Sequence, residues 1–261
     1  MHIITLTSDW AEYDYYVASI KGKILTRCPN ATIVDINHRI RSFNTAQAAF
    51  VLRNSFPGFP ENTIHIIAVN TEPESGGQLL AAKKSNQYFL CADNGVLGLL
   101  GDPEPELVVR LREPDAQQPA SFISMAIFVE AACALAAGKP LEELGETALQ
   151  YHRQVPLRAT IENNTITGSV IFIDSYENAI TNISRELFDR IGQGKAFRIF
   201  VQSKHYMIDQ INNRYNETQP GELLAIFNAA GLLEIAIRNG KAASLLKLNT
   251  SSSIRIEFKD S

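Results

Sequence analysis

The feature that most constrains the fold is a change of pattern about 155 residues into the chain. Up to that point, short apolar runs alternate with segments of helical spacing. The apolar runs cover residues 3–7, 32–36, 64–69, 88–91 and 107–111, and the helical segments cover 15–28, 44–54 and 126–137. Strands that alternate with helices predict an α/β domain with a mostly parallel sheet covered on both faces.

The rest of the chain is typical of an all-β domain. Short apolar runs separated by turns occupy residues 166–173, 179–183, 197–202, 206–211, 223–227, 232–237 and 254–258. Only two short segments, 186–191 and 242–246, have helical spacing. This pattern predicts an antiparallel small barrel or sandwich. We therefore expect an α/β domain over residues 1–155 and a β domain over 156–261, with the junction inside 153–163.

Composition narrows the classes of function. The 261 residues are 45% hydrophobic and 20% charged with a net charge of -4, an ordinary globular profile. Without an excess of Lys and Arg we expect no nucleic-acid partner. No apolar stretch reaches the ~20 residues that span a bilayer, so we expect no membrane contact. The N-terminal segment reads as a strand rather than a signal peptide, and we expect a cytoplasmic protein.

Cysteine and histidine spacing indicates neither a metal site nor a disulfide framework. Cys28, Cys91 and Cys133 lie far apart, and the five histidines form no paired motif. Walker A and GxGxxG patterns are also missing from the sequence. We therefore expect no metal and no resident cofactor.

Polar residues follow three of the predicted strands. Asp9 follows the first strand, 70–75 follow the third, and Asp93-Asn94-Gly95 follow the run at 88–91. Ligands of α/β sheets bind at the carboxyl ends of strands, so these loops predict a small-molecule site. The Asp9 carboxylate could accept both hydroxyls of a ribose. The alternative is that Asp9 merely caps the following helix.

A second polar group lies in the predicted β domain. Asp174 could pair with an ammonium group, Tyr176 could stack on a base, and Asn178 offers the donor and acceptor that an adenine edge requires. The alternative is a plain turn between two strands, where Asp, Ser and Asn are common.

The order and spacing of these pieces resemble one family, the S-adenosylmethionine hydroxide adenosyltransferases, which are relatives of the fluorinating and chlorinating adenosyl-halide synthases. The resemblance spans nearly the whole chain. It rests on TSDWxxxDxYV at 7–17, IVDINH at 33–38, FP at 56–57, ADNGVLG at 92–98, IDSYENAITNI at 173–183 and GLLEIAIRNGKAA at 231–243. The last two motifs are specific in combination.

The resemblance implies a fold, a ligand and an assembly. It implies an α/β domain followed by a β domain. It also implies a homotrimer that holds S-adenosylmethionine, as substrate or ligand, between the first domain of one subunit and the second domain of the next. At matching positions, Asp9 would hold the ribose hydroxyls, and Asp14, Tyr16 and Asp174 would surround the methionine end. Phe43 and Tyr176 would flank the nucleoside, while Asn178 and backbone near Asn239 would read adenine.

The chain departs from the family at the water-positioning residues. The hydrolases have an Asp–Arg–His set, and Asn70, Gly77 and Ile123 replace it here. The remaining candidates to orient a nucleophile are Asn70, Glu72, Glu74 and Ser124. Ser124 falls where the fluorinating enzymes have a halide-contacting serine, but the glutamates would repel a halide, and halogenation is not expected.

Three hypotheses remain open from the sequence. The first is an enzyme that hydrolyses S-adenosylmethionine to adenosine and methionine by attack of water at the ribose C5′. The second is a catalytically dead protein that binds or senses S-adenosylmethionine or adenosine. The third is a structural relic whose pocket is filled by Ile123 and Met125.

Overall fold

The computed structural model describes residues 2–72, 78–112, 123–203 and 205–259. The chain divides into two units, Met1–Pro156 and Leu157–Ser261. Glu74 and Gly77, which the sequence analysis singled out, lie outside the described residues. Among the helices in the described ranges, none is long and apolar enough to cross a membrane.

The first unit is built on one sheet. Its strands are β1 (His2–Ser8), β2 (Ala31–Asn37), β3 (Ile64–Ala68), β4 (Leu79–Lys84), β5 (Gln87–Ala92), β6 (Leu107–Leu111) and β7 (Gly145–Thr147). Its helices are α1 (Tyr15–Arg27), α2 (Thr45–Arg53), α3 (Val96–Leu99) and α4 (Ile123–Ala136), with 3-10 turns at Phe56–Gly58 and Leu141–Leu144. The strand order is β2-β1-β3-β5-β4-β6-β7.

This sheet is mixed, which corrects the prediction of a mostly parallel sheet. The pairs β1/β2, β1/β3 and β3/β5 are parallel, whereas β4/β5, β4/β6 and β6/β7 are antiparallel. Strand β4 was not predicted from the sequence. Ser85 and Asn86 join β4 to β5 with φ of 51° and 58°, a two-residue turn with positive φ at both positions that folds the chain straight back.

Helices cover both faces of the sheet, as predicted. On one face α1 and α4 contribute Ile20, Ile24 and Phe128 to an apolar cluster, and on the other face α2 contributes Ala48 and Leu52. The three-and-four spacing of apolar residues in α1 explains its single buried stripe. Apolar layers thus pack on both faces of the sheet in which β1, β2, β3 and β5 end at one edge.

The second unit is a nearly closed β-barrel. Its strands are β8 (Thr160–Glu162), β9 (Thr165–Ile173), β10 (Ala179–Ser184), β11 (Phe197–Val201), β12 (Met207–Ile208), β13 (Leu223–Phe227), β14 (Leu232–Ile237) and β15 (Ser253–Phe258). Its helices are α5 (Arg185–Gly192) and α6 (Ala242–Leu246), with a 3-10 turn at Tyr215–Glu217. The pairs between these strands are antiparallel, in the order β12-β11-β15-β9-β10-β14-β13 with β8 beside β9.

Closure of the barrel comes from the segment after β12. The backbone N–H of Asn212 donates to the carbonyl oxygen of Ala225 at 2.8 Å, which brings one edge of the sheet against β13 at the other edge. The all-β architecture predicted from the sequence is therefore present, and of the two predicted forms it is the barrel.

A buried histidine crosses the strands of the first unit. His65 on β3 is fully buried, and its Nδ1 lies 2.7 Å from Thr5 Oγ1 while its Nε2 lies 2.5 Å from Gln87 Oε1. The amide oxygen can only accept, so Nε2 holds the ring proton and Nδ1 accepts from the threonine hydroxyl. Burial lowers the pKa of His65 from 6.5 to about 4, against a smaller opposing effect of the Gln87 bond.

This shift predicts acid destabilisation of the first unit. The unfolded chain takes up the proton near pH 6.5 and the folded protein only near pH 4. The free energy of unfolding therefore falls as the pH drops through that window, by about 3 kcal/mol. Urea unfolding at pH 7 and pH 4.5 should show this loss in the wild type and in His2→Gln, an exposed control, and a much smaller loss in His65→Gln. Equal losses in wild type and His65→Gln would refute it.

Candidate functional site

The carboxyl ends of four neighbouring parallel strands lie along one edge of the first sheet. The order β2-β1-β3-β5 places next to one another the segments that follow these strands. Three of those segments contain the polar loops predicted from the sequence. This edge is the geometric basis of the candidate site.

Asp9 ties two of these segments together. Its Oδ2 accepts hydrogen bonds from the backbone N–H of Phe43 at 2.8 Å and of Asn70 at 3.3 Å. Helix α1 begins later, with Asp14 at the N-cap position and no side-chain cap bond. The capping alternative for Asp9 is therefore wrong. The half-buried carboxylate instead sits at the centre of the strand edge.

The backbone around Asp9 is held in an unusual conformation. Ala11, Phe43 and Asn70 have φ of 57°, 65° and 49°, the left-handed region that non-glycine residues rarely adopt. Such conformations persist only where the surrounding structure enforces them, and they concentrate at functional sites. Here two of the three residues direct their N–H groups at the same carboxylate oxygen. The Phe43 ring is 74% exposed and is available to a ligand.

Asn94, which follows β5, stabilises the same edge of the sheet. Its Nδ2 donates to the carbonyl oxygens of Val69 and Asn70, both at 3.0 Å, and its Oδ1 accepts from the N–H of Val96. The Asp93-Asn94-Gly95 segment is thus more than a tight turn. It fixes the backbone whose Asn70 N–H binds Asp9.

Two buried hydroxyls meet beside this edge. Ser124 Oγ, in the first turn of α4, donates to Thr71 Oγ1 at 3.1 Å, and Ser124 is only 1% exposed. Thr71 was not among the predicted site residues, although it lies in the polar loop that the sequence analysis singled out. Glu72 is exposed. The hydroxyls of Thr71 and Ser124 lie at the first turn of α4, where the helix dipole favours a negatively charged group.

Ile123 and Met125 have an apolar role. Met125 is buried in the core of the first unit and Ile123 packs against that core from a half-buried position. A core role for both side chains was part of the relic hypothesis. Their neighbour Ser124 nevertheless contacts the loop that follows β3.

Aromatic side chains surround the beginning of α1. Trp10 and Tyr16 have ring centroids 6.1 Å apart, and the Tyr15 and Tyr16 rings lie 4.2 Å apart. The side-chain hydrogen bond with Tyr15 and partial burial raise the pKa of Tyr16, and the charge of Asp14 adds to this effect. Tyr16 therefore remains a neutral hydroxyl beside the Asp14 carboxylate.

In the second unit, Asp174 organises the loop between β9 and β10. Its Oδ1 accepts from the backbone N–H groups of Tyr176 at 3.0 Å and Asn178 at 2.8 Å, and its Oδ2 accepts from Asn178 Nδ2 at 3.1 Å. This is the turn geometry of the alternative interpretation. The same bonds orient the Asn178 amide and leave Tyr176 75% exposed, so turn and ligand roles are compatible.

Glu177 fastens this loop to the start of α6. Its carboxylate accepts from Lys241 Nζ at 2.9 Å and from the N–H and hydroxyl of Ser244, and its carbonyl accepts from the N–H of Ala243. The Ser244 and Lys241 hydrogen bonds lower the pKa of Glu177. The exposed Asn239, with φ of 52°, lies just before this connection. Sequence reasoning missed Glu177 because no local pattern reveals a partner 64 residues away.

A buried carboxylate lies in the same barrel. Glu234 on β14 accepts from the Tyr215 hydroxyl at 2.7 Å and from Asn228 Nδ2 at 3.1 Å. Burial, Glu234 and the nearby charge of Asp174 raise the pKa of Tyr215. The sequence signal for Glu234 is a single charge inside an apolar strand, which the analysis did not single out.

Comparison with known proteins covers both units. The family model of the SAM hydroxide adenosyltransferase N-terminal domain matches residues 4–145. The family model of the C-terminal domain matches residues 168–255. An (R)-S-adenosyl-L-methionine hydrolase of Thermus thermophilus is 26% identical over 268 residues, covering 98% of this chain and 100% of that protein. A fluorinase of Nocardia brasiliensis is 26% identical over 302 residues, covering 98% and 96%.

A solved structure has a similar fold. An uncharacterized conserved protein from Thermotoga maritima superposes with a TM-score of 0.87 at 28% identity, covering 97% of this chain and 99% of that one.

Proposed function

The chain belongs to the S-adenosylmethionine hydroxide adenosyltransferase family, and from that premise we propose that it hydrolyses S-adenosylmethionine to adenosine and methionine. Water attacks the ribose C5′ in line with the C5′–sulfur bond. That bond breaks, sulfur keeps the electron pair, and the proton of water passes to solvent. Named relatives that this chain covers end to end are (R)-S-adenosyl-L-methionine hydrolases, and their activity supports the proposal.

The observation that supports it most directly is the setting of Asp9. Two backbone N–H groups bind one oxygen of its carboxylate. Among the described residues no hydrogen bond engages Oδ1, which can therefore accept a ribose hydroxyl. Phe43, bound through its backbone to Asp9, presents its ring beside the position where a nucleoside would lie. The carboxylates of Asp9 and Asp14 also suit a cationic sulfonium ligand.

For the attacking water, correct orientation contributes more to the rate than removal of its proton by a base. The leaving group is a neutral thioether, so no general acid is required. Orientation alone can supply roughly 7–11 kcal/mol, whereas acid–base assistance contributes about 10²–10⁴-fold. We assign the orientation of water to the hydroxyls of Thr71 and Ser124, with Asn70, Glu72 and Glu74 as further candidates in the adjoining loop.

The remaining contacts come from the barrel unit of a neighbouring subunit in this proposal. Tyr176 flanks the nucleoside, Asp174 faces the methionine ammonium group, and Asn178 with backbone near Asn239 reads adenine. The assembly is a homotrimer, and the ligand is a small nucleoside that needs no cofactor. The bonds within the 174–178 loop support this assignment because they leave Tyr176 exposed and fix the direction of the buried Asn178 amide.

Product analysis tests the function. Purified protein is incubated with S-adenosylmethionine in water enriched in the heavy oxygen isotope, with and without chloride, and the products are followed by mass spectrometry. We expect adenosine whose 5′ oxygen comes from solvent, in equal amount to methionine. No adenosine above a control without protein would overturn the proposal, and substrate retained unchanged on the protein would replace it with the binding hypothesis.

A further inference from the structure

A chain of polar side chains runs from the surface of the first unit to the residue before Asp9. Lys21 Nζ on α1 lies 2.5 Å from Asp35 Oδ2 on β2, and His38 Nε2 lies 3.1 Å from Asp35 Oδ1. His38 Nδ1 lies 2.7 Å from Ser8 Oγ at the end of β1. Ser8 and His38 are buried, while Lys21 and Asp35 are partly exposed.

The direction of the protons follows from the chemistry of the groups. The Asp35 carboxylate can only accept, which favours the ring proton on His38 Nε2. Alignment of the Nε2–Oδ1 contact is poor for a hydrogen bond, so its attraction is chiefly electrostatic. His38 Nδ1 is then an acceptor and receives a hydrogen bond from the Ser8 hydroxyl. Burial opposes ionisation of Asp35, but its contacts with Lys21 and His38 outweigh that effect and lower its pKa.

Ser8 in turn closes a small loop around Asp9. The backbone N–H of Trp10 reaches Ser8 Oγ at 3.4 Å, so one hydroxyl oxygen binds the residue after Asp9 while its proton binds His38. The N–H of Asp9 also donates to the carbonyl oxygen of Ala68 at 3.3 Å. The backbone at Asp9 is therefore held to His38, which follows β2, and to Ala68 on β3.

We propose that His38 and Ser8 are positioning residues, which set the direction of the Asp9 carboxylate and thereby the recognition of the ribose hydroxyls. This inference rests on the proposed function. The contacts of Ser8 have the order of a Ser–His–Asp array, but its hydroxyl is engaged by His38 and by the N–H of Trp10, and we assign it no role as a nucleophile. His38 and Ser8 act through Asp9 and do not contact the sulfonium or the C5′ atom of the substrate.

The test compares a ligand that has both ribose hydroxyls with one that lacks both. Binding of adenosine and of 2′,3′-dideoxyadenosine is measured by calorimetry on the full chain for wild type, Ser8→Ala, His38→Leu and Ser8→Thr. Hydrogen bonds to a charged group predict that wild type prefers adenosine by roughly tenfold or more. We expect Ser8→Ala and His38→Leu to reduce this preference to within about threefold, and Ser8→Thr, which keeps the hydroxyl, to retain it.

A matched pair in the same sheet separates positioning from general destabilisation. Thr5 and His65 make the same 2.7 Å hydroxyl–imidazole contact on β1 and β3, four residues before Asp9. Thr5→Val should lower the melting temperature and leave the adenosine preference unchanged. If wild type prefers adenosine and Ser8→Ala and His38→Leu prefer it equally, the positioning role is wrong while the proposed function stands. A wild type that binds neither nucleoside, or binds both alike, would overturn the role of Asp9 as well.

Discussion

Replacing Asp9 with asparagine should weaken adenosine binding by roughly 10²-fold and lower kcat/KM for S-adenosylmethionine by at least as much. Asparagine keeps one oxygen that can accept the N–H groups of Phe43 and Asn70, so the strand edge should survive. The variant loses the negative charge and one acceptor, and each hydrogen bond from a hydroxyl to a charged group contributes about 1.5–3 kcal/mol. Calorimetry with adenosine and initial rates of adenosine release measure the two effects.

Glu61→Gln is the matched control for this change. Glu61 lies just before β3, at the opposite end of the strand from Asp9, and its carboxylate accepts a hydrogen bond from Asn86 Nδ2 at 3.2 Å. We expect Glu61→Gln to bind adenosine as wild type does. Binding by Asp9→Asn within about threefold of wild type would contradict a ribose role for Asp9.

Removing the hydroxyls of Thr71 and Ser124 should reduce kcat by roughly 10²-fold while KM changes little. Both side chains are buried and share one hydrogen bond of 3.1 Å. Their proposed role is to place water, so they should act on the chemical step rather than on nucleoside binding. Because they act as a unit, Thr71→Val, Ser124→Ala and the double variant should show similar losses instead of multiplying. Initial rates over a range of substrate concentrations separate kcat from KM.

The matched control for this pair is Thr63→Val. Thr63 is as buried as Ser124, and its hydroxyl donates to the carbonyl of Pro60 just before β3, at the opposite end of the strand. We expect Thr63→Val to lower stability and to leave kcat unchanged. A Thr71→Val and Ser124→Ala double variant with wild-type kcat would shift the assignment of water orientation to Glu72 or Glu74, which Glu72→Gln and Glu74→Gln would then test.

Local pattern was enough to predict the strands whose ends form the candidate site. The apolar runs that became β1, β3 and β5 are continuous because most residues of these strands are buried, and the polar residues that follow them placed Asp9, Asn70 and Asp93 at one edge. The run that became β2 is only partly buried. The same reasoning missed β4. Its Ala81, Ala82, Lys83 and Lys84 lack the branched side chains that indicate a strand, and its direction depends on the Ser85–Asn86 turn.

The sequence by itself determined the two-part architecture, the family and the positions of Asp9, Asp174 and Asn178, since apolar periodicity and motif spacing are properties of neighbouring residues. Only the tertiary structure decided which groups of the protein those residues contact. It showed that Asp9 accepts N–H groups from residues 34 and 61 positions away, that Thr71 meets Ser124 and that His38 reaches Ser8. Such contacts depend on which strand ends become neighbours in the sheet, and that order is fixed by packing between elements far apart in the chain.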